Sequence, residues 1–329
     1  MTRSSSRWIV QRLAQLALVL WVIATILFLI FRLMPGNPLV AFIDPNFTAE
    51  QQRALIHQFG LDLPLWQQYL IFLKESVTGN LGQSFFYKAP VSQLVWETLP
   101  NTLILTLGSV IIAFLIGTVA GAFLAWKRGT AAEAAGISVV VALRAAPEFW
   151  VGMILLAVFS FSLRWFPSSG TASPGVHYAS LGAQLVSVDF LRHLALPLVT
   201  FVLYLQGLPL LLMRSNMLDV MEEEFVVMAR MKGLPEARIL LRHAARNALL
   251  PVATAFALVI GYSLSGDVVV ENVFSWPGLG RLLVKAVSSK DYPLAQGAFL
   301  VIAALAILMN LLADLVYTWL DPRVSYAKR

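Results

Sequence analysis

The 329-residue chain is 58% hydrophobic and 13% charged, with a mean hydropathy of +0.75 and a formal net charge of +6. Soluble domains carry roughly 25% charged residues and about 45–50% apolar ones, so the composition excludes a water-soluble domain and reads as a polytopic membrane protein in which lipid replaces the polar surface. The chain has no cysteine, which excludes disulfides, thiolate metal sites and cysteine nucleophiles.

A bilayer core of about 30 Å is crossed by about 20 apolar helical residues. Six windows meet that requirement in chain order: Leu13 to Phe31, Leu99 to Trp126, Ile137 to Leu163, Leu194 to Met213, Leu249 to Val270 and Leu294 to Leu320. The first follows a basic N-terminus, but its apolar run exceeds the roughly 7–15 residues of a cleaved signal and no small-residue cleavage site follows, so it is read as a retained signal-anchor. Arg144 and Glu148 interrupt the third window. Between the first two windows, the segment from Thr48 to Gly60 predicts a short helix with Thr48 as N-cap. Between the fourth and fifth, residues 214–248 predict two short charged helices interrupted at Gly233 and Pro235.

Basic residues are unevenly sided. If the N-terminus is cytoplasmic, the inside segments hold 14 Lys and Arg in 66 residues and the outside segments 7 in 113. This is the positive-inside pattern, with both termini cytoplasmic. It accounts for the basic charge by topology and removes most of the argument for a nucleic-acid partner.

None of the seven lysines follows a glycine, so the chain has no phosphate-cradling GxxxxGK[ST] loop. The four histidines, His57, His177, His193 and His243, lie in loops or at span ends without HExxH spacing, which argues against a zinc hydrolase or an intramembrane serine protease. What remains distinctive is the 214–248 segment. Its short helices, fixed by a Gly-Pro elbow and offering Val226, Val227, Met231 and Leu234, suit docking on another protein. A solvated charged loop is the other reading of the same composition.

Within that segment, Ala229, Arg230, Lys232 and Gly233, followed by His243, Arg246, Asn247 and Pro251, resemble the signature loop of ABC-importer permeases of the dipeptide, oligopeptide and nickel branch. The resemblance covers nearly the whole chain. It includes FRLMPGNP at 31–38, GLDLPLWQQY at 60–69, GNLGQS at 79–84, LPNTL at 99–103, ENVFSWPGLG at 271–280, and Asn310, Asp314, Tyr317 and Asp321-Pro322-Arg323 near the C-terminus. Departures stand at Asn37, where the family commonly has Asp, at Glu224-Phe225, where it commonly has Asp-Tyr, and at RAAPEF in the third span. They leave the coupling reading intact and bear on substrate preference.

The resemblance implies an all-α membrane protein with six transmembrane helices and the type I ABC-importer permease fold. An N-terminal helix and extracytoplasmic region would occupy 1–97, the permease domain 98–321, and a cytoplasmic tail 322–329. It implies half of a translocation pathway for di- or oligopeptides, with nickel chelates or another small solute as the alternative. The chain itself would be non-catalytic and without a cofactor. ATP and Mg would sit on two ATP-binding partner subunits, beside a homologous second permease and an extracytoplasmic solute-binding protein, in a bacterial or archaeal cytoplasmic membrane. The residues implied to couple to the ATPase are Glu224, Ala229, Arg230, Lys232, Gly233, Leu234, Pro235, His243, Arg246 and Asn247. A different class, an ion-coupled secondary transporter, requires a mid-span carboxylate.

Charges within spans are costly and often functional. Arg144 and Glu148 are four apart, so on one helix they share a face and can pair. They line the translocation path or form a local salt bridge at the helix end. Asp267, at the outer end of the fifth window, contacts substrate or binding protein, or is simply solvated. Gly117 and Gly121 form a GxxxG, a weak signal for close helix packing, and Asp314 reads as a helix contact.

Overall fold

The computed structural model describes residues 3–33, 48, 50, 57, 62–263 and 267–320. The expected helix at 48–60, the 34–38 exit from the first span, the Asp314 side chain and the 321–323 motif lie outside the described residues or side chains. Among the described residues the fold is helical, with one isolated bridge between Gln83 and Pro90. The helices are α1 (Arg3–Leu33), α2 (Leu65–Thr78), α3 (Val91–Trp126), α4 (Ala131–Ala145), α5 (Glu148–Leu155, running on as a π-helical turn over Leu156–Ser162), α6 (Leu181–Leu185), α7 (Val188–Leu205), α8 (Gly207–Met221) and α9 (Glu224–Met231). Then come α10 (Glu236–Arg238, a π-helical turn over Ile239–Ala244, and Ala245–Ser263), α11 (Val268–Val273), α12 (Leu279–Ser288) and α13 (Tyr292–Leu320).

Five stretches are long and apolar enough to cross a membrane: Gln11–Leu33, Val91–Trp126, Val188–Met221, Glu236–Gly261 and Tyr292–Leu312. The sixth expected span is broken. Helices α4 and α5 are bent by 101° at Ala146 and Pro147. A residue before proline is pushed out of the helical region, and Ala146 is extended at φ −72°, ψ 137°. Proline also lacks the N–H that would continue the ladder, but suits a helix start.

The fifth span begins at Glu236 rather than Leu249, so the second of the two expected short helices is the opening of α10. Hydropathy ends a span where charge begins, whereas a helix ends only where its backbone is interrupted. Likewise the first residues of the expected loop, from Arg214 to Met221, continue α8.

The chain divides into two compact units, one of residues 1–102 and 277–308, the other of 103–276 and 309–329. In the first, α2 packs on α1 through a 2.7 Å hydrogen bond between Thr25 and Tyr69 and through Phe28, whose ring meets Tyr69 and Phe72 at 5.2 and 5.7 Å. Helix α2 stops at Gly79, left-handed at φ 79°, whose N–H reaches back to the Glu75 and Ser76 carbonyls, the usual way a glycine satisfies a helix end. The α13 start is pinned by Asp291, fully buried, which accepts from the Ser84 hydroxyl (2.6 Å) and from the Phe86 (3.0 Å) and Leu294 (3.2 Å) amides.

In the second unit, a core that includes Phe114, Phe201, Met213, Met217, Ala248, Phe274 and Trp276 joins α3, α7, α8, α10 and α11. Helix α3 meets α8 at Gly117 and Gly121: a Cβ at Gly117 would lie 2.7 Å from the Gln206 carbonyl, and one at Gly121 would strike the Leu210 carbonyl. Only glycine allows that approach, so the GxxxG works as a helix seam. A second hub is Asp189, which holds the 166–180 loop on α7 by accepting from the Ser173 amide (2.9 Å) and hydroxyl (2.6 Å) and the Tyr178 phenol (3.0 Å).

Candidate docking surface and pathway residues

Helix α9 follows α8 after two residues, Glu222 and Glu223. Glu223 is extended (ψ 147°), which turns the chain, and Glu224 opens the new helix, where a carboxylate is favoured by the N-terminal partial charge. One face of α9 is buried: Val226 and Ala229 pack with Ile239 of α10, with Leu234 and Val220 around them. The opposite face leaves Phe225, Val227, Met228 and Met231 exposed, Met231 at 83%.

The exit from α9 is a tight elbow. The Lys232 amide bonds the Met228 carbonyl, that of Gly233 bonds Arg230, and that of Leu234 bonds Ala229. Gly233 takes φ 72°, a left-handed conformation that costs glycine little. Pro235 then sets the start of α10. Across the elbow Arg230 pairs with Glu236 at 2.9 Å, with both side chains exposed; such a pair contributes about 0–1 kcal/mol and mainly orients the side chains.

The coupling residues named from sequence therefore fall into two groups. Glu224, Arg230, Lys232, Gly233 and Pro235 are exposed around the elbow, with Leu234 half-buried and Ala229 buried. His243, Arg246 and Asn247 lie further on along α10, with His243 in the π-helical turn and the Asn247 amide donating to its carbonyl at 3.0 Å. Of the four apolar residues expected to face a partner, only Val227 and Met231 are exposed. Val226 is fully buried in the chain's own core and Leu234 leans into the same cluster. The sequence reading missed Phe225 and Met228, which occupy the free face. A helical wheel anchored on Val226 and Ala229, spaced i, i+3, would have found them.

Arg144 and Glu148 do not share a helix face, because the bend at Pro147 lies between them, and they form no ion pair. The Arg144 stem instead packs by Gly207, where a Cβ would lie 3.4 Å from its Cδ. Glu148 opens α5 with its Oε1 buried and without a hydrogen-bond partner, and its carboxyl faces that of Asp267. Asp267 Oδ1 accepts from the Val269 (2.9 Å) and Val270 (3.0 Å) amides, which makes it the N-cap of α11. The structure thus brings Glu148 and Asp267 together and leaves Arg144 apart.

A further ionic site escaped the sequence reading. Glu133, on α4, is 7% exposed and accepts from Arg214 of α8 and from the Gly129 amide. Thr130 caps the same helix, its hydroxyl accepting from the Glu133 amide at 3.4 Å. The Thr-x-x-Glu capping pattern was visible in the sequence and marks that helix start.

Comparison with known proteins places this arrangement in a family. Residues 117–326 match the model of the binding-protein-dependent transport system inner membrane component, and residues 5–106 match the N-terminal model of the same membrane components. The oligopeptide transport system permease protein AppB of Bacillus subtilis is 38% identical over 97% of this chain and 99% of its own length. The di/tripeptide transport system permease protein DppB of Pseudomonas aeruginosa is 36% identical over 98% and 99%. The glutathione transport system permease protein GsiC of Escherichia coli is 32% identical over 97% and 99%. The chain belongs to the family of binding-protein-dependent, ABC-type inner-membrane permeases. It is accordingly an all-α, multi-pass inner-membrane protein and a non-catalytic transport component.

Proposed function

We propose that this chain forms half of the membrane pathway of an ATP-driven importer of di- and oligopeptides, and that α9 with its elbow is the element on which the ATP-binding subunits act. The observation that carries the coupling is the two-sided α9: one face is sewn into the core beside α10, while Phe225, Met228 and Met231 stand free next to Lys232. An ATPase cleft closing on that free face moves α9, and the Val226–Ile239 packing delivers the motion to α10. Differential affinity of ATP and of the loaded binding protein for two states of the spans supplies the driving free energy.

The peptide reading rests on the relatives, which are named for oligopeptides, di/tripeptides and glutathione, itself a tripeptide. The partners are a homologous second permease, two ATP-binding subunits carrying ATP and Mg, and an extracytoplasmic solute-binding protein. The arginine and lysine sidedness supports cytoplasmic termini and a cytoplasmic α9. Glu148 and Asp267 are the path-lining carboxyls, with Arg144 four positions before Glu148 in the chain.

The test is co-purification from detergent together with uptake. A P-loop ATPase should come down with the chain, and charge reversal at Arg230 and Lys232 together should abolish uptake. Purification without any ATPase, or unchanged uptake, sinks the coupling reading. Thermal-shift screening of the cognate binding protein with peptides and with nickel chelates decides the cargo.

A further inference from the structure

The Glu133 carboxylate is satisfied on both oxygens. Oε1 accepts from Arg214 Nε at 2.8 Å and from a terminal guanidinium nitrogen at 2.5 Å, while Oε2 accepts from the Gly129 amide at 2.7 Å. Glu133 thus grips two separate pieces of chain, the 127–130 turn that leads out of α3 and the middle of α8. Its hold on the turn is reinforced by Thr130, whose hydroxyl donates to the Lys127 carbonyl at 2.6 Å. A second, exposed link runs beside it from Arg128 to Glu222 at 3.1 Å. Surface pairs of that kind contribute little, whereas here Glu133 is buried and Arg214 half-buried, so removing Arg214 would leave the Glu133 charge stranded.

The location gives this contact its consequence. Arg214 lies on the same helix face, two turns beyond Gln206 and one beyond Leu210, as the Gly117 and Gly121 seam. Helix α3, the turn and α8 are therefore a single stiff block. Ten residues beyond Arg214, on the order of 15 Å along a helix, Glu224 opens the docking helix. From Glu133 in the other direction, α4 leads directly into the 101° bend and then to Glu148. Arg214–Glu133 is the one ionic contact among the described residues that joins the helix preceding α9 to the first half of the broken span.

We propose that Glu133 is a positioning residue for energy coupling: through Arg214 it ties α4, and with it the broken third span, to the helix that carries the docking segment. This rests on the coupling role assigned to α9 above. Without the tie, α9 is still gripped by the ATPase and hydrolysis still proceeds, but the displacement of α8 is no longer handed to α4 and α5. Loss of Glu133 thus separates hydrolysis from transport.

The experiment uses the full transporter, with its ATP-binding subunits, second permease and binding protein, in proteoliposomes, and measures ATP hydrolysed per peptide imported. Glu133→Gln is expected to hold ATPase activity within about twofold of wild type while uptake falls at least tenfold. The exchange Glu133→Arg with Arg214→Glu is expected to recover most of the uptake. Because the chain has no cysteine, Glu133→Cys with Arg214→Cys gives a reversible form of the same test. Cross-linking with a bifunctional thiosulfonate should restore transport, and reduction should remove it again. An unchanged ATP-to-peptide ratio in Glu133→Gln overturns the proposal, as does a parallel loss of hydrolysis and uptake that tracks the amount of folded protein. Full coupling in the reduced double-cysteine variant overturns it even where Glu133→Gln does not fold. Wild-type vesicles that import peptide without ATP overturn the underlying coupling reading itself, whatever the variants do.

Discussion

The hydroxyl of Ser84 donates a 2.6 Å hydrogen bond to Asp291, 207 positions later in the chain, and neither side chain reaches solvent to any extent. The same carboxylate takes the Phe86 amide and caps α13 through the Leu294 amide. One group therefore closes the 82–90 loop and starts the last span.

Replacing Asp291 by Ala leaves three donors without an acceptor, two of them backbone amides. Hydrogen bonds to a charged group are worth about 1.5–3 kcal/mol and a helix cap about 1 kcal/mol, so a loss of roughly 3 kcal/mol is expected. Unfolding in mixed micelles would measure it. Asp291→Asn, which keeps an acceptor oxygen, should lose less than half as much, and equal losses would refute the hydrogen-bond account.

The seam between α3 and α8 makes a paired prediction. A methyl at Gly121 meets the Leu210 carbonyl and sits 2.9 Å from Met213 Cβ, both of them unable to step aside cheaply. Overpacking of this kind costs about 1–3 kcal/mol. A methyl at Gly108 meets only Leu198 Cδ1, at an ordinary 3.5 Å, and gains up to about 1 kcal/mol from helix propensity. Gly121→Ala should lower the melting temperature and Gly108→Ala should hold or raise it. The reverse order would show that the seam is not close-packed.

Pro147 should govern the bend in the third span. Spin labels at the exposed positions Val139 and Ile154 would be roughly 22 Å apart along an unbroken helix, and closer when the helix folds back at 101°. Pro147→Ala removes the restriction on Ala146, and its distance distribution should gain a longer component. An unchanged distribution would mean that the bend is held by packing of Gly152 against Phe274 and Val273 rather than by the proline.

Tyr178 supplies a titration signature outside the spans. Burial, and then the hydrogen bond it donates to Asp189, push its phenol above the ordinary tyrosine value of 10.0. A raised folded value means that the neutral phenol is favoured in the native state. The stabilisation is present in full below the unfolded value and is lost as pH rises through the folded one. The phenolate absorbance of wild type should show a late step that Tyr178→Phe abolishes, and the variant should be less stable than wild type below that step and match it above. A Tyr178→Phe titration superimposable on wild type would remove the role assigned to the Asp189 hub.

Much of this was legible before any coordinates. Spans one, two and six are bounded by long charge-free runs, and lipid demands helix from such runs. The bend within the third was not legible, because hydropathy averages over Pro147 while the backbone does not. The same blindness hid the true start of α10: Arg238, Arg242 and Arg246 lower hydropathy without breaking a helix. At α9, residue types suggested an amphipathic segment but not its sides, since Val226 and Val227 are the same residue with opposite fates. Glu133 and Arg214 stand 81 positions apart. No local pattern encodes that meeting, which arises only when the Gly117 and Gly121 seam lays α3 along α8.

The half-sunk setting of α9 decides which way force can travel through it. A segment lying loosely on a surface can be pressed inward but peels off when drawn outward. Val226 and Ala229 are instead rooted beside Ile239, so drawing Met228 or Met231 outward drags α10 with them. Under the proposed coupling, the same short helix would serve as piston on the closing stroke and as handle on the return.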